Sequence, residues 1–250
     1  MFQESLHQFQ PFSLTHVIIL GLLVAVCGKV IAFGLKRRGT QPLIRLEKGF
    51  ASMYLLLWII FHGWWLLPPN FDPAYSLPIH LCDIVALLMP LAILWRNQRL
   101  LALLYFWGIG FSAQGLLTPD LQLGALSLLF WLFWLHHATI VGAAVYIVVV
   151  HRFRPTPRDF RWAVSMGLFY VACIFPINAC FGFNYGYLGD QSPGQPSVID
   201  WLGPWPWRVG VIVGPLPVKL TADLTLKEFV VVDAGEIGKS ITNGLFLDRL

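Results

Sequence analysis

Residues 14–38 read "LTHVIILGLLVAVCGKVIAFGLKRR", and this stretch decides the fold class. A helix needs about 20 mostly apolar residues to cross ~30 Å of hydrocarbon, and this run meets that length with one interior cation, Lys29. Lys29 lies two turns from the end, where its long stem carries the charge toward the cytoplasmic surface. The basic cluster follows the apolar run instead of preceding it, and the first 13 residues hold no Lys or Arg. The segment therefore reads as a retained span and not as a cleaved secretory signal.

Five further apolar segments follow, at about 50–67, 79–95, 99–117, 123–150 and 160–181. The 123–150 segment is long enough that, at about 1.5 Å per residue, it is expected to tilt or protrude. Of the 250 residues 57% are hydrophobic and 12% charged, with mean hydropathy +0.67, whereas soluble domains carry about 25% charged residues. Such a chain has too little polar surface to cover a globule in water. The net charge of +4 does not indicate nucleic acid, because the cations sit in short loops between apolar runs. Lipid leaves backbone N–H and C=O groups unsatisfied, and these runs are too long for barrel strands. The expected fold is an all-α polytopic transmembrane bundle over residues 1–208, with a divergent tail over 209–250.

The loops set the expected orientation. Lys36, Arg37, Arg38, Arg45 and Lys48 follow span 1; Arg96 and Arg99 follow span 3; Arg152, Arg154, Arg158 and Arg161 follow span 5. The 68–78, 118–122 and 182–207 loops have no Lys or Arg. The positive-inside rule then puts the basic loops in the cytoplasm and the N-terminus outside, in a multi-pass protein of the cell membrane. Trp64, Trp65, Trp201, Trp205 and Trp207 suit the outer membrane–water interface.

With that orientation the polar groups of the spans collect at one depth. His62, then His80, Cys82 and Asp83, then Gln114 and Asp120, then His136 and His137, then Asn178, Asn184 and Tyr185 all fall in the outer half or at mid-depth. Intramembrane ionisable residues cost a few kcal/mol each, so they face a cavity or one another. On a helix His80 and Asp83 share a face, while Cys82 points about 100° away from Asp83. A proton acceptor for the thiol is then expected from another span, with His137 or His136 as candidates. The chemistry this permits is thiol acyl transfer: a thiolate attacks an ester carbonyl, an imidazole moves the proton, and an amide such as Gln114 or Asn178 donates to the oxyanion.

Each residue also has a plainer reading. A cysteine in a membrane helix is usually small apolar filler, and Cys82 has a possible disulfide partner in Cys180. His80 and Asp83 can simply bond each other and pin a helix start. Asn178 and the "FNYGYL" and "PWPW" segments read as structural turns and anchors. Gly108, Ser112 and Gly115 read as a close helix-packing stripe. Four cysteines without a CxxC pair suggest neither a metal centre nor a redox couple, and no cofactor is expected. "GEIGKS" at 235–240 lacks the spacing of a phosphate-binding loop. The rival functional classes are a transporter or small-molecule-binding protein that uses His80, Asp83 and His137 to relay protons or hold a ligand, and a structural membrane protein without chemistry.

A string of motifs narrows the choice. "LPIHLCDIVALLMPLAI", "LLYFWGIGFSAQGLLTPDL", "HATIVGAAVY", "RPTPRDFRWA", "FGFNYGYL" and "PSVIDWLGPWPW" together resemble the YwaF-like family of bacterial integral membrane proteins over about residues 50–207. A eukaryotic branch of that family is similar to cysteine-dependent acyltransferases acting on lysophospholipids. The resemblance implies a nucleophile at Cys82 in "HLCD", a histidine at His137 before "ATIVGAAVY", and a membrane phospholipid or lysophospholipid as partner. It also implies a seventh apolar span after "PWPW". Here "VGVIVGPLPV" at 209–218 is too short for one, and the remainder is polar.

Overall fold

The computed structural model describes residues 8–191 and 201–213. They form seven α-helices in an up-and-down bundle, with no strand among the described residues. The helices are α1 (Leu14–Lys36), α2 (Gln41–Trp65), α3 (Leu81–Trp95), α4 (Gln98–Leu117), α5 (Leu128–Val149), α6 (Pro157–Phe181) and α7 (Trp207–Val213). Of these, α1, α4, α5 and α6 are long and apolar enough to cross a membrane. Helix α3 has 15 residues, and α2 carries Arg45, Glu47 and Lys48 near its start. The 235–240 segment and the tail from 214 onward lie outside the described residues.

Local chemistry explains the boundaries. Ser13, Thr40 and Thr156 each accept a hydrogen bond from a backbone N–H of the first turn of α1, α2 and α6, satisfying donors that have no intrahelical partner. At α6 the cap is reciprocal, because Asp159 returns a bond to the Thr156 backbone. Gly182 ends α6 in the left-handed conformation, φ +70°. Helix α5 starts at Leu128, after a turn at 124–127. It is therefore 22 residues long, about 33 Å at 1.5 Å per residue, and the extra length expected of this segment is taken up by the turn.

The packing stripe on α4 behaves in part as expected. A Cβ on Gly108 would come within 3.1 Å of the Ala144 Cβ, and one on Gly115 within 2.4 Å of the His137 ring. Both glycines thus let α4 lie against α5. The helix is not regular, however: Gly108–Ser112 forms a π-helical turn, a distortion common near functional sites.

One end of the bundle gathers the charged turns. Glu47 of α2 accepts from Arg96 at 2.9 Å, Tyr146 at 2.7 Å and His151 at 2.9 Å. Arg38 donates to the Val149 and Val150 carbonyls that end α5, as a cation suits a helix C-terminus. Gln98 donates to Asp159 at 2.8 Å. Burial raises the Glu47 carboxyl, but the His151 and Tyr146 hydrogen bonds and the Arg96 charge outweigh it, leaving it below its ordinary 4.5.

The core follows α3, α4 and α5: Val85, Ala86, Met89, Leu104, Ile140, Ala144 and Ile147 have no accessible surface. The outer faces carry Leu22, Val24, Val30, Leu56, Ile60, Trp131, Leu135 and Phe169, all exposed. The most apolar stretch of α1 is only 11% buried. In water such a surface would drive aggregation; against acyl chains it costs nothing.

Candidate functional site

The end opposite the Glu47 cluster holds the polar residues of the spans. Helix α3 begins with His80 at its N-cap and Cys82 and Asp83 in its first turn. Asp83 Oδ1 is the common point. The Cys82 Sγ lies 3.9 Å from it, His62 Nε2 of α2 3.9 Å, and His136 Nε2 of α5 3.9 Å. Ligating atoms of Cys82, Asp83 and His136 all fall within 4.8 Å of one another. Three helices thus supply one compact group, and His136 Nε2 is buried without a hydrogen-bond partner.

His62 is fixed by its neighbours. Its ring packs 4.3 Å from Trp58, and Trp58 Nε1 donates to the Asp83 carbonyl at 3.2 Å. From the sequence His62 reads as a member of the outer polar layer or as an interfacial histidine bonded to a loop carbonyl; in the structure it faces Asp83 instead. Its one signal was its depth, because pairing with Asp83 depends on how α2 turns against α3.

The two adjacent histidines of α5 part ways. His136 faces Asp83. His137 donates Nδ1–H to the Phe133 carbonyl at 3.0 Å, lies tilted against the Phe133 ring at 4.3 Å and packs on Gly115 of α4. The His136 and His137 rings meet edge to face at 5.1 Å. His80 turns away from Asp83: its Nδ1 accepts the Gly186 N–H at 3.3 Å, and its ring lies 4.8 Å from Tyr185. The expected His80–Asp83 pair at the helix start is therefore replaced by a bond to the 184–188 loop. All four cysteines are free, so Cys82 and Cys180 form no disulfide.

The remaining candidates build that loop. Asn178 is buried and closes a two-bond ring with the Tyr185 backbone, donating at 2.8 Å and accepting at 3.0 Å. Tyr185, fully buried, donates its hydroxyl to the Pro73 carbonyl and accepts from Leu77 N–H. Asn184 joins Gly189 N–H to the Gln191 carbonyl. Tyr187 reaches Asp120 at 3.5 Å; burial, then the Asp120 carboxylate and the Cys82 side chain, push its phenol above the ordinary 10 and keep it a proton donor. Gln114 is exposed on the last turn of α4. Asn178, Asn184 and Tyr185 thus hold the loop that lies beside the start of α3.

Two structural residues had no sequence signal. His16, 2% exposed, accepts from Phe12 N–H through Nδ1 and donates through Nε2 to the Leu116 carbonyl at 2.8 Å. Arg208 on α7 is buried and donates to the Gly189 and Gln191 carbonyls, so the first cation after the 182–207 loop is consumed in bracing that loop. Helix α7 crosses the expected boundary at 208/209, and Val209 packs with Tyr170, Ile174 and Leu188. A shallow apolar groove between α6 and α7, lined by Val171, Phe175, Pro176 and Pro206, includes none of the Asp83 group.

The arrangement offers a thiol, a carboxylate and two imidazoles inside an apolar bundle, which suits proton transfer, thiol chemistry or cation binding. Comparison with known proteins is consistent with the membrane reading. The model of the TMEM164 family, a transmembrane protein family, matches residues 11–218. No curated protein and no solved structure matches the chain.

Proposed function

This chain belongs to the TMEM164 family, and from that premise we propose that it is a multi-pass cell-membrane protein that moves acyl groups between lipids through Cys82. In this reading six helices cross the bilayer, the N-terminus is outside, and the site opens toward the outer leaflet. The observation that carries it is the approach of Cys82 and Asp83 of α3 and His136 of α5 to within 4.8 Å of one another. The motif resemblance to YwaF-like proteins adds support. Membrane phospholipid would be the acyl donor and lysophospholipid the acceptor.

The chemistry runs in two half-reactions. His136 Nε2 takes the Cys82 proton, and the Asp83 carboxylate stabilises the resulting imidazolium. The thiolate attacks the ester carbonyl; the C–O bond breaks, and the departing alcohol takes the proton back from His136. A second lipid hydroxyl then attacks the thioester while His136 accepts its proton, and the thiolate is released. Water in place of that hydroxyl would give hydrolysis. The resemblance points to His137 for the imidazole; the 3.9 Å separation from Asp83 favours His136, with His137 as its packed neighbour.

The test is an acyl-exchange assay between phospholipid and lysophospholipid with purified protein. Cys82→Ala should abolish exchange, and His136→Ala should lower it by ~10²–10⁴-fold, more than His137→Ala. Undiminished exchange in Cys82→Ala would end the reading. A larger loss in His137→Ala would transfer the base role to that residue.

A further inference from the structure

We propose that Cys82, Asp83 and His136 also bind one zinc ion, with His62 beside them against Asp83, and that zinc reversibly takes the Cys82 thiolate out of reaction. The sequence pattern suggests no metal, because the three donors come from two helices, α3 and α5, with no ligand spacing along the chain. The bundle assembles them. Zinc takes Cys, His and carboxylate ligands at ~2.0–2.3 Å in a tetrahedron, so its ligand atoms stand roughly 3.3–3.7 Å apart. The three contacts to Asp83 Oδ1 are each 3.9 Å. The two histidine separations are too long for N–H···O hydrogen bonds, and all three lie a few tenths of an ångström beyond a tetrahedral edge.

Two independent features point to a ligand. His136 Nε2 is buried with no hydrogen-bond partner, which is costly unless something else occupies that lone pair or proton. The donor set also balances charge: thiolate and carboxylate against Zn²⁺, with one neutral imidazole and a fourth position left for water, gives a neutral complex suited to an apolar surrounding. Binding releases the Cys82 proton to solvent and forms a Zn–S bond, with no change of oxidation state. The His136 and Asp83 side chains are 23% and 16% exposed, so the ion has a way in. With sulfur and His136 both ligated, nucleophile and base are lost together. This inhibition rests on the acyl-transfer reading; the metal binding does not.

The experiment uses the full chain in detergent, stripped by chelator and titrated with Zn²⁺ and, separately, Co²⁺. One zinc per chain is expected, and Co²⁺ should give a sulfur-to-cobalt charge-transfer band that Cys82→Ser removes. His136→Ala should weaken zinc by more than the ~10–100-fold typical of losing an outer-shell partner, and His62→Ala by no more than that. Because a variant can misfold, a second readout is thermal melting, which zinc should raise in the wild type and not in Cys82→Ser. Sub-stoichiometric binding, or zinc affinity unchanged in both His136→Ala and Cys82→Ser, would overturn the site. A cobalt band without acyl exchange in chelated protein would sink the acyl-transfer reading, and its inhibition with it, while leaving the metal site standing. Acyl exchange that persists at saturating zinc would overturn the inhibition.

Discussion

Asn178 and His136 are both polar residues of membrane-embedded helices, and they do opposite things. Asn178 spends both ends of its amide on the Tyr185 backbone. Replacing it with Ala leaves a buried N–H and C=O without partners, at about 1–3 kcal/mol. Asn178→Ala should therefore lower the melting temperature of the purified protein and expose the 184–188 loop to proteolysis. A melting temperature equal to wild type would show that water takes over both bonds. His136 Nε2 instead makes no side-chain hydrogen bond and lies 3.9 Å from the Asp83 carboxylate. From the sequence both read only as polar groups at a shared depth. Burial and partners separate them, and these depend on helix rotation that periodicity in an almost wholly apolar segment does not record.

Helices α4 and α5 make the element-scale case. Close approach at Gly108 and Gly115 holds the α5 histidines in register with the start of α3. The His137 ring cannot retreat easily, because Phe133 holds it by a hydrogen bond and by a tilted ring contact at 4.3 Å. Gly115→Ala, which would bring a methyl within 2.4 Å of that ring, should destabilise more than Gly108→Ala, whose nearest neighbour is a methyl at 3.1 Å. Overpacking of this kind costs about 1–3 kcal/mol. Thermal melting of the two variants checks the order, and equal effects would mean that α4 shifts as a unit at its π-helical turn. That turn had no sequence signature, since "GIGFSAQG" also reads as a regular small-residue stripe.

At the scale of the whole molecule, the two ends of the bundle differ in chemistry. The Glu47 end ties α2, the α3 terminus and α5 together. Its carboxyl is held below the ordinary 4.5, so the folded state binds this proton less readily than the unfolded chain does. The resulting stability is fully present above about pH 4.5 and is lost as pH falls through the lower folded value. Glu47→Gln should flatten that acid-side loss in a melting series from pH 7 downward; an unchanged acid slope would assign it to other carboxylates. Orientation has its own check. Reporter fusions at 96–97 and at 152–155 should report the cytoplasm, and fusions at 70–75 and 183–190 the outside. The reverse pattern would turn the Asp83 group toward the cytoplasm and remove the outer-leaflet reading.

Length and composition alone determined the helical, membrane-embedded class, because an apolar run of about 20 residues admits few other solutions in lipid. The caps at Ser13, Thr40 and Thr156 are equally local, since a cap is a contact between near neighbours along the chain. Tertiary structure decided which polar side chains meet. It turned His136 toward Asp83 and His137 toward Gly115, gave His80 to Gly186, and brought His62 into the group. The reason is geometric: adjacent helical residues differ by about 100°, and only the packing of one helix against another determines which of those directions faces the bundle.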